Sequence, residues 1–153
     1  MSHRMRAVPA ALAVVALAAP AAAHADTTLT FKEVDKGSSF HVVDAPPRTS
    51  RSHHLSPGDQ FVIQNPLAGA AGKRIGTLRA TCSMTTSKDS ICYGVFSFQN
   101  GTLDALVAMA NTEKSTTTSG GIVGGTGAYA GARGSFVSKD TKTGGDDTVT
   151  LLG

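Results

Sequence analysis

From about residue 28 onward, apolar and polar residues alternate with a period of two, and the three-to-four residue spacing of an amphipathic helix is almost absent. Runs of this kind, bounded by Gly, Asn, Asp and Pro, predict strands over 28–34, 38–43, 60–65, 73–84, 91–100, 102–110, 117–123, 132–139 and 146–152. So many short strands in one domain imply an all-β sandwich or a closed antiparallel barrel. Between the second and third runs lies a polar stretch, DAPPRTSRSHHLSPGD, at 44–59, too long for a simple turn and expected to be a functional loop. The threonine-rich stretch 111–119 reads as a plain connection between strands.

Two features fix the middle of this pattern. Asn100-Gly101 separates Phe96-Ser97-Phe98 from Leu103-Asp104-Ala105, and Asn-Gly predicts a tight hairpin turn because both residues tolerate positive φ. With Thr102 the same residues form a glycosylation sequon, which matters only in a host that glycosylates. Cys82 and Cys92 lie on neighbouring runs. If they pair across a hairpin, Ala80 faces Gly94 and Leu78 faces Phe96, and the bridge joins a face shared with Met84 and Phe98. A buried thiol pair or a reactive cysteine is the alternative.

The first residues follow a different pattern. Arg4 and Arg6 precede an apolar run, 7–22, broken by Pro9 and Pro20, and Ala23-His24-Ala25 supplies small residues at the positions a signal peptidase inspects. A signal peptide over 1–25, cut between Ala25 and Asp26, is predicted, followed by one domain over 26–153. The apolar run is too short and too interrupted to span a membrane, so no span is expected in the mature chain. Export places the protein outside the cell, where an internal disulfide is the default. Removing Arg4 and Arg6 lowers the formal charge from +3 to +1, and the remaining basic residues are scattered, which argues against nucleic acid as a partner.

GTGAYA, within GGTGAYAGARGS at 124–135, matches the glycine pattern that cradles a dinucleotide pyrophosphate. That chemistry needs a strand feeding a helix. Here Gly131 and Gly134 oppose a helix, and no βαβ alternation surrounds the segment. The glycines are read as architectural: a tight turn at Gly124, Gly125 and Gly127, then freedom for a strand to bend. His53-His54 has no further ligand at a familiar spacing, so no metal is expected, and no cofactor either. Asp146-Asp147 reads as a pair of turn acids.

GGTGAYAGARGSF resembles the late glycine motif of the allene oxide cyclase and dirigent superfamily, in particular its bacterial barrel-like members. Val34-Asp35-Lys36-Gly37-Ser38, Pro57-Gly58-Asp59, Asn65-Pro66-Leu67, Gly72-Lys73-Arg74-Ile75-Gly76, Cys82 and Cys92 follow in family order, so the resemblance spans nearly all of 26–153. It implies an eight-stranded antiparallel barrel of calycin type with an apolar cavity open at one end. It also implies assembly as a homodimer or homotrimer, and a role in guiding ring closure or coupling of hydrophobic precursors. Aligned through Asp35-Lys36-Gly37-Ser38, Thr30 and Lys32 replace the acid and amide of the plant cyclases, which argues against allene oxide cyclisation itself. Asn65 matches a pocket asparagine of the family, and Cys82 its fourth-strand cysteine.

The function expected is therefore binding of a small hydrophobic molecule, with steering of its cyclisation or isomerisation. A non-catalytic carrier and a filled barrel acting through its outer surface are the alternatives. With no Trp and few other aromatics, the interior has little to plug it. Four residues are ligand-binding candidates, and no catalytic residue is assigned. Asn65 shares parity with Phe61 and Ile63, though it also suits a strand end before Pro66. Tyr129 could line the mouth or simply pack. Arg133, if internal, would need an acid such as Glu33 or Asp104. Glu33 enters the cavity only if Leu29, Phe31 and Glu33 face inward, whereas the family alignment puts Thr30 and Lys32 inside; the two rules choose opposite faces.

Overall fold

The computed structural model describes residues 26–46, 55–110 and 116–153. Nine strands follow in chain order: β1 Thr27–Val34, β2 Ser39–Val43, β3 Gln60–Ala68, β4 Arg74–Met84, β5 Asp89–Phe98, β6 Gly101–Ala110, β7 Thr117–Gly127, β8 Gly134–Thr141 and β9 Gly144–Leu151. All neighbours pair antiparallel, in the order β1-β9-β8-β7-β6-β5-β4-β3-β2. A further β1–β3 contact, Lys32 opposite Ala68 and Glu33 opposite Leu67, closes eight of them into a barrel. None of the described residues is helical, and none belongs to a helix long and apolar enough to cross a membrane. The signal segment 1–25, with Ala25 of the cleavage site, and His53-His54 lie outside the described residues.

β2 is an extension of β1. Both run antiparallel to β3, so they form one strand interrupted at 35–38. Gly37 takes a positive φ of 88° there, and the Ser38 amide and hydroxyl both donate to the Asp35 carbonyl, at 2.9 and 2.7 Å. Opposite the gap lie Asn65 and Pro66, which have partners only on β4. Proline has no N–H to give, so β3 passes through Pro66 without losing a ladder bond and reaches Ala68 instead of stopping at residue 65.

The Cys82–Cys92 disulfide is present, in the register expected of it: Leu78 opposite Phe96, Ala80 opposite Gly94, Cys82 opposite Cys92. The next hairpin departs from expectation by one residue. Phe98 pairs with Gly101, so the turn is Gln99-Asn100, and no described non-glycine residue has positive φ. The glycine segment is likewise displaced. Gly124 and Gly125 belong to β7, paired with Asp104 and Leu103, and the chain turns only after Gly127. Gly134 tolerates no side chain, because a Cβ there would overlap the Thr150 carbonyl of β9.

On β1 the apolar-inward rule holds. Phe31 is buried and Glu33 half-buried, whereas Lys32 is exposed and ion-paired with exposed Asp146 at 2.7 Å. The alignment that placed Thr30 and Lys32 inside is corrected by this register. Two residues per pleat put Leu29, Phe31 and Glu33 on one face, and burying an aromatic there outweighs any gain from burying a lysine.

Asp59 is buried outside the barrel wall's apolar run. It accepts the Ala45 amide at 2.8 Å, the Ser56 amide at 2.6 Å and the Ser56 hydroxyl at 3.0 Å, tying together the approaches to β2 and β3.

Candidate functional site

The inward faces of the strands create a hollow because of one row of small residues. Ala80 on β4, Gly94 on β5 and Ala105 on β6 are direct register partners, so three adjacent strands present almost no side-chain volume at one level. The unfilled space is a cavity of about 270 Å³, partly open to solvent. Apolar walls come from Leu78, Phe96, Val107, Met109 and Phe136, together with the Cys82–Cys92 bridge. Cys92 Sγ lies 3.4 Å from Met109 Sδ, making that wall rich in sulfur.

The polar side chains of the lining sit mainly on the facing strands. Glu33 of β1 and Asn65 of β3 meet in a short hydrogen bond from the amide Nδ2 to the carboxylate Oε2. Asp35, Asp140, Ser138 and Thr118 complete the set. Burial pushes the Glu33 carboxyl above the ordinary carboxylate range; the Asn65 bond opposes this, and the charges of Asp140 and Asp35 add to it.

One step deeper lies Asp147, which the sequence pattern had marked as a turn acid. β9 pairs it with Phe31 on β1 and Ser138 on β8, so it points into the barrel in line with Gly145 and Val149 and is only 2% exposed. Neither carboxylate oxygen has a hydrogen-bond partner. Burial first, then the Glu33 charge, raises its pKa to about 7, against a smaller lowering influence from the Ser138 hydroxyl. The clue available in the sequence was parity with Val149, obscured by the adjoining Gly145 and Asp146.

Of the four candidates, Glu33 and Asn65 are brought together at the cavity, and Tyr129 and Arg133 are not in its lining. Tyr129 packs at the other end of the barrel, its ring centroid 5.7 Å from that of Phe98. Arg133 is exposed and donates from Nη1 to the carbonyls of Val123 at 3.0 Å and Ala132 at 2.9 Å, bracing the β7–β8 turn. No group of three or more His, Cys, Asp or Glu among the described residues could hold a metal ion.

No protein-family model matches the chain, and neither does any curated protein. Solved structures do share its fold. A pyocyanin demethylase has a TM-score of 0.66 at 20% identity, over 82% of this chain and 100% of that one. The pterocarpan synthase dirigent protein GePTS1 has 0.60 at 23%, over 83% and 82%. The Diels–Alderase AbmU from Streptomyces koyangensis has 0.59 at 15%, over 82% and 68%. The fold is thus one shared with a dirigent protein and a Diels–Alderase.

Proposed function

We propose that the chain is exported and that its barrel holds a small, mainly apolar molecule, steering its cyclisation or isomerisation. The unfilled interior above the Ala80–Gly94–Ala105 row carries this reading, because a barrel of this size otherwise fills its interior with side chains. That same space disfavours a filled barrel acting only through its surface. Proteins of this fold are named for demethylation of pyocyanin, for pterocarpan synthesis and for Diels–Alder chemistry, all involving small organic molecules.

Rigid apolar walls would limit a flexible precursor to few conformations, lowering the entropic part of its barrier. The Glu33–Asn65 pair is the chemical element of the site. A carboxyl with a raised pKa can donate a proton to a developing anion, or as a carboxylate face a developing cation. Thr30 and Lys32 are exposed on the other face of β1, so neither takes part in this chemistry. The bridge and the predicted signal together support an oxidising, extracellular location. Exposed Val62, Tyr93 and Leu106 lie on three strands of the outer wall, a stripe that assembly as a dimer or trimer would cover.

The test is native mass spectrometry of the exported protein with a panel of hydrophobic ring compounds. The wild type should take up one molecule per barrel, and Ala105→Phe, which projects a ring into the cavity, should lose at least about tenfold in affinity while keeping its near-ultraviolet signature. Refusal of the whole panel by a folded wild type would overturn the reading. Conversion of a bound compound would separate a cyclase or isomerase from a carrier.

A further inference from the structure

Among the described residues, the charge inside the cavity is all of one sign. Its charged lining residues, Glu33, Asp35 and Asp140, are acids, and no Lys, Arg or His is among them. The lysines of the same strands face away: Lys32 is occupied by Asp146 on the outer wall, and exposed Lys139 is the register partner of Asp146 there. Beneath the lining, Asp147 adds a fourth carboxyl, buried on the inward face with both oxygens unpartnered.

The acids are ordered by depth. Asp35 and Asp140 are exposed at the mouth, Glu33 is half-buried, and Asp147 is buried. Such an arrangement opposes a second anion and leaves acceptor oxygens in want of donors, whereas a positively charged donor entering along it meets attraction throughout. Phe96 and Phe136 supply aromatic faces in the same space for the body of a ligand, and aromatic faces also favour cations.

We propose, resting on the cavity-binding reading above, that the barrel selects apolar ring compounds bearing one cationic nitrogen, an amine or a charged nitrogen heterocycle, seated toward Glu33. Carboxylates of the same shape are turned away. The groups facing Glu33 are Asp35 on its own strand segment, Asn65 on β3, Asp140 on β8 and Asp147 on β9. No cation among them competes with the ligand, so affinity for it rises as Glu33 and Asp147 lose their protons.

Three probes with one ring system and one attachment point test this: naphthylmethylamine, naphthylmethanol and naphthoate, titrated calorimetrically into the exported chain. At about pH 7.5 the amine should bind at least ~10-fold more tightly than the alcohol and the naphthoate at least ~10-fold more weakly. The amine's advantage should shrink at about pH 5.5, where it remains charged but Asp147, with its pKa raised to about 7, gains its proton. Glu33→Gln should bring the amine-to-alcohol ratio toward one, and Asp89→Asn, outside the lining, should leave that ratio as it is. The wild-type series is decisive even if Glu33→Gln fails to fold. Equal binding of all three, or preference for naphthoate, overturns the charge selection and leaves the cavity reading standing. Binding of none overturns both.

Discussion

The two ends of the barrel interior use the same pleat for opposite purposes. At the end near the β5–β6 turn, inward positions carry rings: Phe31 packs edge-on against Phe96 and Phe98, with centroids 5.4 Å apart in each case, and Phe98 meets Tyr129. Towards the β8–β9 turn, inward positions carry Gly145, Asp147, Ser138 and Glu33, facing the small-residue row of β4, β5 and β6. Strand number and hydrogen bonding are common to both ends, so side-chain volume alone decides which is solid and which is hollow. The aromatic end stabilises the fold, and the hollow end bears the cost of buried acids.

Phe96 stands at the border, 1% exposed, touching Phe31 and lying 5.7 Å from the ring of Phe136 while also lining the cavity. Phe96→Ala would merge the hollow with the packed end. Of all the substitutions it should have the largest effect, destabilising the barrel by about 3–5 kcal/mol as measured by urea denaturation. A loss under ~1 kcal/mol would mean that the aromatic end does not carry the stability assigned to it.

Asp147 gives the next largest effect, with the opposite sign. Its folded pKa of about 7 lies above the ordinary 3.8, so the folded chain holds a proton that the unfolded chain releases between those values. Stability from this group is therefore full below about pH 4, falls as pH rises towards 7, and levels off above, where the charged carboxylate costs up to about 4 kcal/mol. Asp147→Asn removes the charge but leaves an amide without partners. It should raise stability by about 2–3 kcal/mol at pH near 8 and change it little near pH 4, read as melting temperature against pH. Glu33, shifted the same way by burial, follows the same sign. A melting curve for Asp147→Asn that tracks the wild type at every pH would show that the carboxyl is not confined as described.

These two residues also mark what was legible in the sequence. Phe96 was readable because Cys82 and Cys92 fix the β4–β5 register, and from that register alternation assigns the inward face. Glu33 was readable only as one of two options, since alternation and family alignment disagreed and local sequence carries no term to choose between them. Asp147 was hidden because Gly and Asp beside it mimic a turn, and the pairing of β9 with β1 is what turns its parity with Val149 into an inward direction. The row Ala80–Gly94–Ala105 could be read on two strands, but its hollowness depends on what faces it across the barrel. Closure through β1 and β3, which pairs Lys32 with Ala68 and Glu33 with Leu67, supplies that information and no local pattern does.

The glycine segment GGTGAYAGARGS belongs wholly to the solid end, and its charged residue sharpens the contrast most finely. Arg133 lies on the exposed side of the β7–β8 turn, and its guanidinium donates to backbone carbonyls of that turn and of β7. Those bonds are solvent-exposed, so each is worth little against the side-chain entropy they cost. Arg133→Ala should therefore lower stability by about 0.5–1 kcal/mol and leave affinity for a cavity ligand within about twofold of the wild type. A larger loss of affinity would mean that the β7–β8 turn reaches the ligand, and the division between a structural end and a binding end would have to be redrawn. If affinity holds while Glu33→Gln abolishes the preference for the amine, the chemistry lies at the acidic end alone. The glycines then serve closure: Gly127 turns the chain with φ of 60°, and Gly134 lets β8 approach the Thr150 carbonyl.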